Sequence, residues 1–412
     1  DVKMSAAEEA FKVGDEQFAA GSFVIRREGN PADLRERLEA AAVELGLTAR
    51  GVERAPNVKT HELSVPRIAI LHTWTNTQNE GWYRIEFDRL GVPYSYISEH
   101  VVRDTPNLRE KFDVIVFPPV GGTAQAIVNG IPKAGEPIPW KGSELTPNMG
   151  GSPDQTDNIR GGMGLGGVGN LQRFVEDGGL FVAVQNTVNV PVAYGLTPGV
   201  TVQEPSPQFQ ARGSIYNARF DDRRHPVSYG YGETLPVYFN QAPLLQVAPP
   251  PGTGGGGGAG APGSAVRPSG RGALNDPDIV QAMPQASPTP RATPARPGEE
   301  RLTEEQRLAL GPFYTPPSTR PRVVLRFSDN AQALLVSGML ANGQELANRP
   351  VIVDVPVGRG HVLLFATNPM WRHQTQGEFF LLFNAALNFD HLGVGRTTAT
   401  PARAGDGDDD EQ

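Results

Sequence analysis

Arg67-Ile-Ala-Ile-Leu-His72 is an unbroken apolar run, and a polar link separates it from a helical stretch, Asn79 to Leu90, which leads into Tyr94-Ser-Tyr-Ile97. Aliphatic runs of this length without polar alternation read as strands covered on both faces, as parallel sheets require. Asn79 is placed to cap the helix and Gly91 to end it. The rhythm continues with a helix over 104–111, the strand Asp113-Val-Ile-Val-Phe117, a long loop over 118–163, a helix over about 165–177, Gly178-Gly179, and Leu180-Phe-Val-Ala-Val184. Strand, helix, strand, helix, strand predicts a parallel sheet wrapped by helices through right-handed crossovers.

Downstream the pattern loosens. Residues 196–245 alternate in short runs such as Gly213-Ser-Ile-Tyr-Asn-Ala-Arg-Phe220 and show no helical period. Strands return at Arg322-Val-Val-Leu-Arg-Phe327, Val351-Ile-Val-Asp-Val355 and His361-Val-Leu-Leu-Phe365, and Gly377 to Asn388 closes as an amphipathic helix. The fold class is therefore α/β: a mostly parallel sheet flanked by helices, with an antiparallel β extension and a long Gly/Pro-rich insertion. Upstream, a short β-rich run at 22–26 precedes a helix opened by Pro31, with apolar positions Leu34, Leu38, Ala41, Ala42 and Leu45 and a closing Gly46. Such a unit cannot bury its own faces, so it is read as leaning on the α/β body or as the remnant of a preceding domain. The domain boundaries expected are 1–62 for this lead-in, 63–248 with 320–392 for the α/β body, 249–319 for the insertion and 393–412 for an acidic tail.

The 412 residues include 48 Gly and 38 Pro, well above the ~12% of average usage, and the excess gathers in 249–298, including the run Gly254 to Gly258. A segment of that composition cannot offset its ordering entropy alone. It reads either as a solvated insertion or as an arm extended along neighbouring chains, which predicts self-association through 249–298. The net charge is −8, and five acidic residues, Asp406, Asp408, Asp409, Asp410 and Glu411, sit in the tail, so no basic groove for nucleic acid is expected. No run of 18 apolar residues exists to form a membrane-spanning helix. The chain contains no cysteine, which removes disulfides, thiolate metal sites and cysteine nucleophiles together. It opens at Asp1 with no signal-peptide pattern, and is read as a fragment of a longer polypeptide.

Few motifs carry chemistry. Gly164-x-Gly166-x-x-Gly169 has the spacing of a dinucleotide fingerprint but no strand directly before it, so it reads first as a flexible helix entry, with an anion-accepting nest beside Arg160 as the alternative. A nucleophile on the sharp turn after a central strand would fall in Val182-Ala-Val-Gln185-Asn186-Thr187, where Gln185 and Asn186 cannot attack a carbonyl. The seven histidines, at 61, 72, 100, 225, 361, 373 and 391, show no metal-ligand spacing. No catalytic residue, metal ligand or cofactor is assigned within the chain. A ligand pocket is predicted at the C-terminal edge of the parallel strands, formed by His72, Trp74, Glu80 and Trp82 with Arg160, Gly161, Gly162, Gln185 and Asn186. The structural alternative packs Trp82 on the sheet and places Glu80 at the helix dipole; a third reading is a cryptic hydrolase at the Trp74/Glu80 edge.

Several stretches resemble a known family: Asn79-Glu-Gly-Trp82 within Arg67 to Tyr94, Arg160-Gly-Gly-Met-Gly164, Phe174-Val-Glu-Asp-Gly-Gly-Leu180, His225-Pro226, Leu335-Val-Ser-Gly338, Gly358-Arg-Gly-His-Val-Leu-Leu-Phe365 and Met370-Trp-Arg-His-Gln-Thr-Gln-Gly377. They look like the C-terminal region of large bacterial zinc carboxypeptidases, where a class I glutamine amidotransferase-like domain comes after the peptidase domain. The match covers roughly 10–248 and 320–392. The zinc motif of the peptidase domain has no counterpart, and the amidotransferase cysteine is replaced in the Val184-Gln-Asn186 region. The resemblance implies a non-catalytic accessory module, a pseudoenzyme of amidotransferase-like or flavodoxin-like fold. It also implies zinc only in an absent peptidase domain, that domain as a partner, and a periplasmic or extracellular home. The alternative is a structural subunit of a homo-oligomeric or filamentous assembly bridged by the Gly/Pro arm.

Overall fold

Two apolar cores, one on each face of a ten-stranded sheet, account for the alternation within the buried strands. The computed structural model describes residues 2–248 and 319–396. The insertion arm, the self-association expected through 249–298 and the acidic tail lie outside the described residues.

In chain order the lead-in holds β1 (Met4–Ala7), β2 (Phe11–Val13), β3 (Glu16–Phe18), β4 (Phe23–Val24), α1 (Leu34–Leu45) and β5 (Thr60–Leu63). The body begins with β6 (Ile68–His72), α2 (Gln78–Arg89), β7 (Ser95–Ser98), α3 (Glu99–Asp104), α4 (Leu108–Lys111), β8 (Val114–Phe117), α5 (Ala124–Asn129), α6 (Gly164–Glu176), β9 (Leu180–Val184) and α7 (Asn189–Ala193). It continues with β10 (Val200–Gln203), β11 (Ser214–Phe220), β12 (Thr234–Phe239), β13 (Leu244–Val247), β14 (Arg322–Phe327), β15 (Leu335–Ser337), β16 (Pro350–Val357), β17 (Gly360–Phe365) and α8 (Gln376–Leu387).

The main sheet has the order β12-β11-β14-β16-β17-β9-β8-β6-β7, with β15 also paired to β11. From β17 to β7 every pairing is parallel, and from β17 back to β12 every pairing is antiparallel. This is the parallel body with an antiparallel extension expected from the sequence. Period-two alternation divides its side chains. Ile68, Ile70, Val114, Val116, Val182 and Val184 join one core with Tyr83 and Phe87 of α2 and Leu381 and Leu382 of α8. Ala69, Leu71, Ile115, Phe117, Phe181 and Ala183 join the other with Val102 of α3, Ile127 of α5 and Leu171 of α6.

Three expectations need correction. The helix over 104–111 is two short ones, α3 ending at Asp104 and α4 starting at Leu108. Pro106 explains the break, since it has no N–H to donate and drives Thr105 to an extended conformation, with φ −113° and ψ 96°. The lead-in holds more than one strand: β1 pairs with β4 and β5, and β2 with β3. It docks on the body through His61, whose Nε2 lies 2.7 Å from Asn388 Oδ1. Finally, α1 forms and ends on Gly46 in the left-handed region (φ 65°), yet of its apolar stripe only Leu34 is buried, Leu38, Ala41 and Ala42 being half-buried and Leu45 exposed.

Candidate functional site

Beyond the C-terminal ends of β6, β7 and β8 lies a cavity of about 300 Å³. From β6 the chain leaves toward β7 on one side and β8 lies on the other, so this is the point where strand order reverses and an open α/β sheet forms a natural crevice. Its lining comes from Thr73 and Thr75 after β6, Glu99 after β7, Val120 and Gly121 after β8, and a wall made by α5 and residues 130–132.

Glu99 is the ionisable residue of that lining. Ser98 ends β7 in the buried sheet edge, and the chain turns directly into α3, which leaves the Glu99 carboxyl 2% exposed. Its Oε1 accepts the Trp74 amide at 3.3 Å, and its Oε2 has no hydrogen-bond partner. Burial pushes its pKa up to about 8, only partly opposed by the Trp74 amide and by Arg103. The hydroxyl of Thr73, itself buried, also lacks a partner.

None of the residues singled out from sequence is among those that line this cavity. His72 and Trp74 alternate with Thr73 and Thr75, and the alternation of β6 sends them to different sides. Ile68, Ile70 and His72 point toward α2, while Ala69, Leu71 and Thr73 point toward α5. On the α2 side, His72 stacks on Tyr96 with centroids 4.1 Å apart, and the Tyr96 hydroxyl donates to Glu80 Oε1 at 2.6 Å. His72 Nε2 lies 2.9 Å from Asp154 Oδ2, which fastens the long loop to the sheet edge. Burial holds His72 below the usual histidine range, opposed in part by its bond to Asp154. Trp74 bridges the two sides, edge-on to His72 at 4.9 Å and 5.7 Å from the His100 ring. Trp82 is half-buried on α2 and away from the lining.

Arg160 is occupied in holding backbone. Its guanidinium donates to Asn158 Oδ1 and to the carbonyls of Lys133, Ala134 and Gly135. Gly161 and Gly162 have a packing role: a Cβ on Gly162 would stand 2.3 Å from the Val128 carbonyl oxygen and 2.7 Å from the Gly130 nitrogen. The glycine is what lets the loop press on the cavity wall backbone to backbone. Gly166, by contrast, has open space around it. Gly162→Ala is therefore expected to cost about 3 kcal/mol in denaturant unfolding, and Gly166→Ala to add about 0.5–1 kcal/mol, as glycine inside a helix does when replaced. Equal effects at the two sites would contradict this reading.

The helix α6 begins at Gly164 straight from the loop, so the glycine spacing there belongs to a helix entry rather than to a βαβ dinucleotide turn. After β9 the chain takes a sharp elbow on Gln185, whose φ of 54° is rare for a residue with a side chain. That is the strained position a nucleophile would occupy. Gln185 and Asn186 are half-buried there, outside the cavity lining, and the Thr187 hydroxyl is enclosed between the carbonyls of Phe117 and Val184. Among the described residues no group of three or more acidic or histidine side chains is arranged to hold a metal ion, and no helix is long and apolar enough to cross a membrane.

Glu99, Thr73 and Gly121 were missed by sequence reasoning. The signal is present: Tyr94-Ser-Tyr-Ile97 reads as a strand, and the rule that points to the end of β6 applies equally to the residue that follows β7.

No family model and no curated protein matches the chain. Solved structures do. A cytoplasmic protein of Salmonella typhimurium is similar at 13% identity and a TM-score of 0.33, over 82% of this chain and 91% of that one. A ThuA-like protein from Bacteroides uniformis is similar at 10% identity and 0.36, over 85% and 98%. A GMP synthase component from Thermoplasma acidophilum is similar at 8% identity and 0.33, over 78% and 92%. None of the three is described as a zinc carboxypeptidase. The class of the fold, mixed α/β with a parallel core, rests on the strand order itself.

Proposed function

We propose that this chain is a binding module without acyl-transfer chemistry, taking a small ligand in the cavity beyond β6, β7 and β8. The observation that carries the reading is a cavity at the strand-order reversal lined by the buried Glu99, whose carboxyl keeps one unpartnered oxygen. The elbow after β9 supports the non-catalytic half, since it holds Gln185 where a thiol or free hydroxyl would be needed. The resemblance of the sequence to the region after the peptidase domain in secreted zinc carboxypeptidases supports an accessory role beside such an enzyme.

The test is a set of amide-resolved NMR titrations of the full chain with four small probes: n-butanol, acetamide, butyrate and n-butylammonium. At least one is expected to shift the amides of Glu99, Ala126 and Ile127 together, and Ala126→Phe, which fills the space, is expected to abolish the shifts. If no probe moves these signals, the cavity is not a ligand site. Release of ammonia from glutamine, or of C-terminal residues from peptides, would overturn the non-catalytic half.

A further inference from the structure

We infer that the cavity is built for a small organic cation, a primary ammonium on a short apolar stem, with Glu99 as its receptor and Thr73 as a second acceptor. This rests on the reading of the cavity as the ligand site. The lining contains one carboxyl and no Lys, Arg or His. A ligand carboxylate would find no opposite charge there, which disfavours anions and zwitterions such as free amino acids. An ammonium brings three donors. Glu99 and Thr73 line the cavity, Glu99 Oε2 and the Thr73 hydroxyl are buried just behind its surface without partners and are the acceptors a cation would uncover, and the exposed Thr75 also lines it. Val120, Ala126, Ile127 and Pro132 offer apolar surface to a short stem.

Binding of a cation has a proton consequence. Glu99 by itself is mostly protonated at pH 7, because burial penalises its charge, and an ammonium offsets that penalty by pairing. The other ionisable groups around it are Arg103 on its own helix, His100 beside it, His72 at the end of β6, and Asp154 and Lys133 on the covering loop. Burial keeps His72 and His100 below the usual histidine range, so both stay neutral between pH 7 and 9. The ionised fraction of Glu99 rises about tenfold across that interval, while a primary ammonium, at about 10.4, remains charged.

The experiment compares n-butylammonium with n-butanol, alike in shape but uncharged, by NMR titration of the full chain and of Glu99→Gln at pH 7 and 9 and constant ionic strength. For the full chain, n-butylammonium is expected to bind about tenfold more tightly at pH 9 than at pH 7, with n-butanol unchanged. Glu99→Gln is expected to lose at least tenfold in ammonium affinity and all of its pH dependence, and to keep n-butanol binding. If n-butanol binds while n-butylammonium shows no pH dependence, or binds Glu99→Gln equally well, the cation inference falls and the cavity reading stands. If neither probe binds the full chain, both fall.

Discussion

Raising the pH from 6.5 to 8 is expected to lower the free energy of unfolding by about 2 kcal/mol, a loss across a range where most proteins change little. Two buried carboxyls cause it. Glu99 in the cavity and Glu378 on α8, which is fully buried and accepts the Tyr238 amide at 2.7 Å, are both pushed up to about 8 by burial. In the unfolded chain they ionise near 4.5. The folded state therefore holds protons that the unfolded state has released, and the stability this represents is complete below 4.5 and lost as pH rises through 8. Buried histidines act in the opposite sense. Burial lowers His61, His72, His100 and His225, so their contribution grows as pH rises through 6.5 and is lost in acid. Each carboxyl removes at most about 1.4 kcal/mol per pH unit and less as 8 is approached, about 3 kcal/mol for the two, and the histidines of the unfolded chain, still half protonated at 6.5, return roughly 1 kcal/mol of it. Urea unfolding at three pH values and fixed ionic strength measures the slope, and Glu378→Gln should remove at least half of it. A flat profile would mean that these carboxyls are not buried as described.

Asp354→Ala is expected to cost about 3–5 kcal/mol, the range for removing one partner of a buried ion network. Asp354 is wholly buried in β16. His361 Nδ1 lies 2.6 Å from its Oδ1, and His225 Nε2 and Arg396 Nη2 lie 3.3 and 3.1 Å from its Oδ2. Burial alone would raise its pKa, but His361 and His225 outweigh that and hold it well below the usual carboxylate range. One carboxylate thus joins β16, β17, the turn at Pro226 and the segment after α8. Removing it leaves the Arg396 charge, which is almost buried, without compensation. The cost should appear in denaturant unfolding with the m-value unchanged. A loss below 1 kcal/mol would show that water reaches the site. His225 is completely enclosed, which makes this network structural rather than a place where substrate could enter.

The strands that were legible in the sequence are those buried on both faces. Arg67 to His72, Asp113 to Phe117 and Leu180 to Val184 each carry apolar residues at successive positions because each face of the sheet has its own core. The break at Pro106 was also written in the sequence and was overlooked. β1 was illegible for a physical reason: Met4 to Ala7 is too short to signal alone, and its partner Thr60 to Leu63 lies more than fifty residues away. Short strands are made by pairing, and local propensity does not report a distant partner.

For the site, the sequence alone determined the loop and the chemistry it lacks. The end of β6 was identified from the order of elements, and the absence of cysteine excluded a thiol nucleophile whatever the fold. Which side chains enter the cavity was decided by tertiary structure. His72 and Thr73 are neighbours in the chain, yet the pleat of β6 sends one to stack on Tyr96 under α2 and the other into the space below α5. Arg160 carries the same charge wherever it stands, but only the folded loop places three carbonyls around its guanidinium. Glu99 is an ordinary carboxyl in the sequence and becomes a buried proton carrier because β7, β6 and the covering loop meet over it, removing water from a group whose charge depends on water.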